Sequence, residues 1–321
     1  MKSSSRLFPA RLERAEAIGF YSEDTYVIKP NNSPDKHVEI AITHLQPIDA
    51  AQDSRAKTPL ILLHGNYQNR YFWYLPQGEG LAIDLLPRFD IWLMEVRGHG
   101  LSPVNPAFHR NTLIDYARYD LPAVNAFVAE QTSRSPLWLG YCEGAAALLY
   151  SVANGSLQSE STAGVVGLGN PWREPSWLKL PFSRALQSLM IRGLHQAEAR
   201  GPEMESGSLV RAHRYEHGLF ARPGSGISTN LWQDLAASSV PLLWLGAAKE
   251  LRLYHQGLAR LVPERLQVSD QTVASSDSFC DVTAADVAAA LSNWMGSESL
   301  CPESTPESAG AGGEKNELLS T

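Results

Sequence analysis

Cysteine is scarce in this sequence. The three present, Cys142, Cys280 and Cys301, are too few and odd in number for a disulfide framework, so the chain reads as a reduced, cytoplasmic protein. Long hydrophobic runs are also missing. Stretches such as residues 240–245 fall far short of the roughly 20 apolar residues that span a bilayer, so no transmembrane segment is expected. No apolar stretch follows Met1-Lys2-Ser3-Ser4-Ser5-Arg6, so no secretory signal is expected either. Basic residues are in deficit: 27 Lys and Arg against 34 Asp and Glu give a net charge of −7, which excludes the basic face that a nucleic-acid partner requires. There is no glycine-rich phosphate loop, and no cofactor is implied. What the chain does have is length and apolar content. Its 321 residues, 44% hydrophobic, suffice for one large domain with a sizeable core, or at most two.

Short apolar runs alternate with helical patterns. Residues 25–28 and 38–44 read as an antiparallel pair of strands joined through Pro30-Asn31-Asn32. Residues 59–63, 90–94, 136–140, 165–168 and 241–245 read as buried strands, with something extended near 265–268. Helices are expected over 121–130, with Pro122 in the first turn, and over 284–295, capped by Thr283. Near-continuous apolar strands separated by helices predict an α/β fold with a mostly parallel central sheet covered on both faces. The alternation stops between Asn170 and Ser239. The expected organisation is an N-terminal segment at 1–19 and a core at 20–170 and 240–295. A helical lid at 171–239, with helical pieces at 183–197 and 207–220, would cover the C-terminal edge of the sheet. A disordered tail rich in Gly, Ser, Pro and Glu is expected at 296–321.

The most informative stretch is Leu137-Trp138-Leu139-Gly140-Tyr141-Cys142-Glu143-Gly144-Ala145. An apolar strand runs through Gly-x-Cys-x-Gly directly into a helix of small residues. Such a turn forces its middle residue into a strained conformation, while the flanking glycines admit close backbone approach. The apical side chain is then presented at a helix N-terminus, as in a nucleophile elbow with cysteine where serine is usual. Three further segments accompany it in order: Leu62-Leu63-His64-Gly65-Asn66, Glu95-Val96-Arg97-Gly98-His99-Gly100-Leu101-Ser102 and Pro241-Leu242-Leu243-Trp244-Leu245-Gly246. Together they make residues 20–295 resemble the α/β-hydrolase superfamily. The elbow spelling alone is similar to that of polyhydroxyalkanoate synthases, which use a cysteine. The resemblance implies that Cys142 is the nucleophile and that the backbone N–H groups of Asn66 and Glu143 form an oxyanion hole. It also implies structural roles for His64, His99 and Ser102.

The pattern departs from the family at the acid and the histidine. After Gly246 the expected aspartate slot holds Lys249, with Glu250 one residue later. The segment that normally carries the histidine reads Ser278-Phe279-Cys280-Asp281-Val282, with Phe279 in its place and no histidine beyond His255. A free thiol titrates near about 8.5, so a few per cent is thiolate at neutral pH without any base, and a helix N-terminus favours the anion. Attack is therefore expected on a thioester or activated ester, whose leaving group needs no proton; amide or alkyl-ester cleavage is not. Water release of the acyl group still calls for a base, and Glu250, beside the acid slot, His255 and Asp281 are the candidate auxiliaries. His213 and His217 sit at i, i+4, without a third metal ligand at suitable spacing, and read as a solvated helix face. The expected partner is a small-molecule acyl substrate. An apolar acyl chain would suit Trp172, Trp177, Leu178 and Phe182. The competing readings are a non-catalytic binding protein that has lost its triad, and an acyltransferase.

Overall fold

The computed structural model describes residues 7–48, 57–65, 68–76, 78–107, 111–169, 231–247, 269–274 and 284–297. The strands are β1 (Ala10–Ile18), β2 (Tyr21–Ile28), β3 (Ile40–Pro47), β4 (Thr58–Leu63), β5 (Phe89–Glu95), β6 (Leu137–Tyr141), β7 (Gly164–Leu168), β8 (Leu242–Ala247) and β9 (Ser269–Ala274). They form one sheet in the order β1-β2-β3-β5-β4-β6-β7-β8-β9. The first three strands meander antiparallel, and β3 pairs antiparallel with β5. From β5 to β9 every pairing is parallel.

Period-two burial explains why these runs are so apolar. Along β4, Leu60 and Leu62 face one core while Ile61 and Leu63 face the other. The same alternation places Leu139 opposite Trp138 on β6, and Leu243 and Leu245 opposite Trp244 on β8. A strand covered on both faces has no solvent side to carry polar residues. The helices are α1 (Leu81–Leu85), α2 (Leu113–Asp115), α3 (Leu121–Thr132), α4 (Glu143–Ala153), α5 (Leu231–Ala237) and α6 (Ala284–Ser297). A π-helical turn, Tyr116–Asp120, joins α2 to α3. The core that holds Trp138 and Trp244 also takes residues from α3, α4 and α5, and the opposite core takes residues from α1 and α6.

Two sequence expectations need correction. The sheet begins at Ala10 rather than near residue 20, because β1 pairs along its length with β2. The extended stretch expected at 265–268 lies outside the described residues, and the next described strand is Ser269–Ala274. The last helix runs to Ser297, past the expected end at Met295. Thr283, the lid expectations at 183–197 and 207–220, and the tail beyond Ser297 lie outside the described residues. Among the described residues, no helix is long and apolar enough to cross a membrane.

Candidate active site

The turn from β6 into α4 has the geometry expected of an elbow. Cys142 is the N-cap of α4 and adopts φ 46°, ψ −110°, a region that a residue with a Cβ occupies only at a cost of about 1–3 kcal/mol. Its N–H donates to the Leu168 carbonyl at 3.0 Å, and its carbonyl accepts from Ala146 N–H at 3.1 Å. These bonds tie the strained residue to β7 on one side and to its own helix on the other. The flanking glycines are required by contact. A Cβ on Gly140 would stand 2.6 Å from the backbone nitrogen of Ala145, and one on Gly144 would stand 2.5 Å from the carbonyl oxygen of His64. Backbone atoms cannot yield as a flexible side chain can, so both positions exclude any larger residue.

Cys142 is half-buried and forms no disulfide, and the flanking Tyr141 and Glu143 are half-buried too. Tyr141 stacks on Phe72, with ring centroids 4.4 Å apart. A Cβ on Gly65 would lie 3.2 Å from Tyr141 Cδ1 and 3.3 Å from Glu143 Oε2, whereas one on Gly169 would lie 3.3 Å from Tyr141 Cε2 and 3.4 Å from Cys142 Sγ.

His64, at the end of β4, has both ring nitrogens engaged. Val96 N–H donates to Nε2 at 3.4 Å, which leaves the ring proton on Nδ1, 2.7 Å from the Gly65 carbonyl. A buried imidazole held in that tautomer has no nitrogen with which to take a proton from Cys142. Its neighbour His99 lies with ring centroids 5.3 Å away, and Ser102 Oγ donates to the Glu95 carbonyl at 2.6 Å while accepting from Ala41 N–H at 2.8 Å. These contacts are structural, as the sequence implies for all three residues.

Two comparisons bear on the whole arrangement. A family profile described as alpha/beta hydrolase fold matches residues 58–202. An alpha/beta hydrolase from Sphaerobacter thermophilus superposes with a TM-score of 0.54 at 19% identity, covering 84% of this chain and 99% of that one. The chain has the α/β-hydrolase fold. A thermophilic esterase from Thermogutta terrifontis aligns with a TM-score of 0.54 at 16% identity over 84% of this chain and 97% of that one. Naproxen esterase from Bacillus subtilis aligns at 0.51 and 13% over 91% and 94%. No curated protein matches the sequence.

Within this α/β-hydrolase scaffold, Cys142 and Glu143 are brought together at the elbow beside the turn after β4. Asn66, Glu250, His255, Phe279, Asp281, His213 and His217 lie outside the described residues. Among the described residues, no group of three or more His, Cys, Asp or Glu side chains could hold a metal ion. Sequence reasoning missed Gln68, whose Oε1 accepts Gly65 N–H at 3.0 Å. It also missed Trp244, whose indole donates to the Gly169 carbonyl at 3.0 Å. Gln68 stands outside the quoted motifs, and Trp244, although inside the Pro241–Gly246 segment, acts on backbone 75 residues away.

Proposed function

We propose that this chain hydrolyses an acyl ester or thioester through an acyl-Cys142 intermediate. One observation carries the reading: a non-glycine residue at φ 46°, wedged between two glycines that contact forbids replacing, and presenting a thiol at the N-terminus of α4. A cysteine that merely fills space needs neither the strain nor the helix dipole beneath it. The esterases among the solved structures of this fold support an acyl substrate.

In this mechanism the thiolate attacks the carbonyl carbon, a C–S bond forms, and the carbonyl π pair moves onto oxygen. The N–H groups of Asn66 and Glu143 would hold that oxyanion. Collapse expels a thiolate or phenolate and leaves the acyl-cysteine. Water then attacks, releasing the carboxylic acid and returning the thiol. Departure of such a leaving group needs no acid, but activation of the water gains about 10²–10⁴-fold from a base. His64 is unsuited to that task, so Glu250, His255 and Asp281 are the proposed auxiliaries, and deacylation is the slow step.

Incubation with p-nitrophenyl butyrate and with a butyryl thioester, followed by intact mass, tests the reading. A single butyryl adduct on wild-type protein, absent from Cys142→Ala, is expected. Lack of any adduct or turnover with both reagents overturns it in favour of a binding protein, the alternative that Phe279 in the histidine slot favours. An adduct discharged by added thiol but never by water would indicate an acyltransferase.

A further inference from the structure

We propose that the outer edge of β1 pairs antiparallel with β1 of a second copy of this chain, joining the two sheets across a two-fold axis. β1 ends the sheet, and among the described residues β2 is its one strand partner. A strand edge of this kind is a template for another strand. Leu12 is 46% exposed, and Glu13, Ala15, Glu16 and Ala17 are exposed as well.

Charges and a bulge on an edge strand ordinarily keep other chains away. Here their order favours a second copy. With the axis between Glu13 and Arg14, each Arg14 stands opposite Glu13 of the second copy and each Arg11 opposite Glu16, so every charge on the strand meets its opposite. Leu12 then faces Ala15, and Ala10 faces Ala17. A regular strand could not use this register, because residues an odd number apart point to opposite faces. The bulge removes the conflict. Glu13 is the extra residue, since Leu12 pairs with Tyr26 and Arg14 with Thr25. Ala10, Leu12, Ala15 and Ala17 therefore share one face, and Arg11, Arg14 and Glu16 share the other. Slipped registers oppose like charges, which is unfavourable. Moving the second copy by one residue sets Glu13 against Glu13 or Arg14 against Arg14; moving it by two sets Arg11 against Arg14 or Glu13 against Glu16. Within one copy Arg11 is held by Glu39 at 2.8 Å and Glu13 at 2.9 Å, and Arg14 by Glu16. The second copy thus extends ion pairs that already order these side chains. Little apolar surface is buried, which makes the association micromolar and salt-sensitive rather than permanent.

Sedimentation velocity on the full chain, from low- to high-micromolar protein, tests the proposal. Wild type is expected to pass from monomer to dimer, less readily at high salt. Arg14→Glu sets glutamate against Glu13 on both sides of the axis, and Glu13→Arg sets arginine against Arg14; each should weaken association about 10- to 100-fold. The two variants mixed together should associate again, because each supplies the charge that the other lacks. Thermal unfolding checks that both are folded, and if one is not, the loss in the other decides. A chain that stays monomeric at high-micromolar concentration, a dimer that both variants leave intact, or a mixture no tighter than its components overturns the proposal.

Discussion

Trp244 reaches from β8 to donate its indole N–H to the carbonyl of Gly169, 3.0 Å away, and a Cβ on Gly169 would stand 3.4 Å from Cys142 Sγ. The same indole lies under Gly167, where a Cβ would meet its Cζ3 at 2.1 Å. One side chain thus sets both the close approach of β7 to β8 and the backbone turn beside the thiol. Trp244→Phe keeps a ring but leaves the buried Gly169 carbonyl without that donor, a loss of about 1–3 kcal/mol. Urea denaturation should show this as a lower midpoint with little change in slope, together with an altered iodoacetamide rate at Cys142. An unchanged midpoint would mean that the bond contributes nothing to stability.

The elbow glycines make a sharper prediction. Gly140→Ala drives a Cβ to 2.6 Å from Ala145 N and 2.7 Å from Leu148 Cδ1. Overpacking typically costs about 1–3 kcal/mol where side chains can adjust, and here the nearest neighbour is helix backbone. We expect at least that loss, measured by thermal unfolding, with the protein either unstable or carrying α4 displaced and Cys142 acylation abolished. Gly155→Ala is the control, since a Cβ there meets nothing within 4 Å and only the φ of +72° opposes it. Its cost should be about 1 kcal/mol.

These contrasts bear on what the sequence could reveal. The parallel strands were legible because burial on both faces leaves an uninterrupted apolar run, as in Leu60-Ile61-Leu62-Leu63. The elbow was legible because its steric demands fall on adjacent residues. β1 was not, because an edge strand has little to bury: Arg11, Glu13, Arg14 and Glu16 interrupt it, and Arg11 spends its charge on Glu39 at 2.8 Å. The role of Glu95 was hidden for another reason. Its partner Arg70 is 25 residues away, and only the β4–β5 pairing brings the two turns together. Trp244 looked like strand core, which it is, and nothing local signals that its N–H is aimed at Gly169.

Arg97 and Asp120 form a second buried ion pair, this one between the turn after β5 and the π-helical turn. Arg97 Nε donates to Oδ2 at 2.8 Å and Nη2 to Oδ1 at 2.5 Å, with side chains 3% and 0% exposed. Burial pushes the Asp120 carboxyl up to about 6, against the pull of Arg97. Arg97→Met removes that pull and raises it further. A carboxyl whose folded value lies above its unfolded one lends stability at low pH that is lost as pH rises through the folded value. The variant's deficit should therefore be greater at pH 8 than at pH 5, reaching about 3–5 kcal/mol where Asp120 is forced to ionise alone. Adding Asp120→Leu should recover most of the loss and flatten its pH dependence. A deficit equal at both pH values would show that the charge pairing is energetically idle.

The exchange Cys142→Ser separates chemistry from architecture. Serine has nearly the same shape and can occupy the same strained position, so the fold should be retained, with thermal unfolding within about 1 kcal/mol of the parent on the scale of surface-like substitutions. Its hydroxyl, unlike a thiol, has no appreciable ionised fraction at neutral pH and depends wholly on a base to attack. If a histidine serves the elbow, Cys142→Ser should remain an active esterase, as serine is in the resembled family. If the thiol acts on its own ionisation, as Phe279 and the engaged ring of His64 lead us to expect, the acyl adduct should vanish. The loss would be at least the roughly 10²–10⁴-fold that general-base help supplies. A serine variant that still hydrolyses p-nitrophenyl butyrate at a comparable rate would place a working base beside the elbow and remove the need for cysteine chemistry.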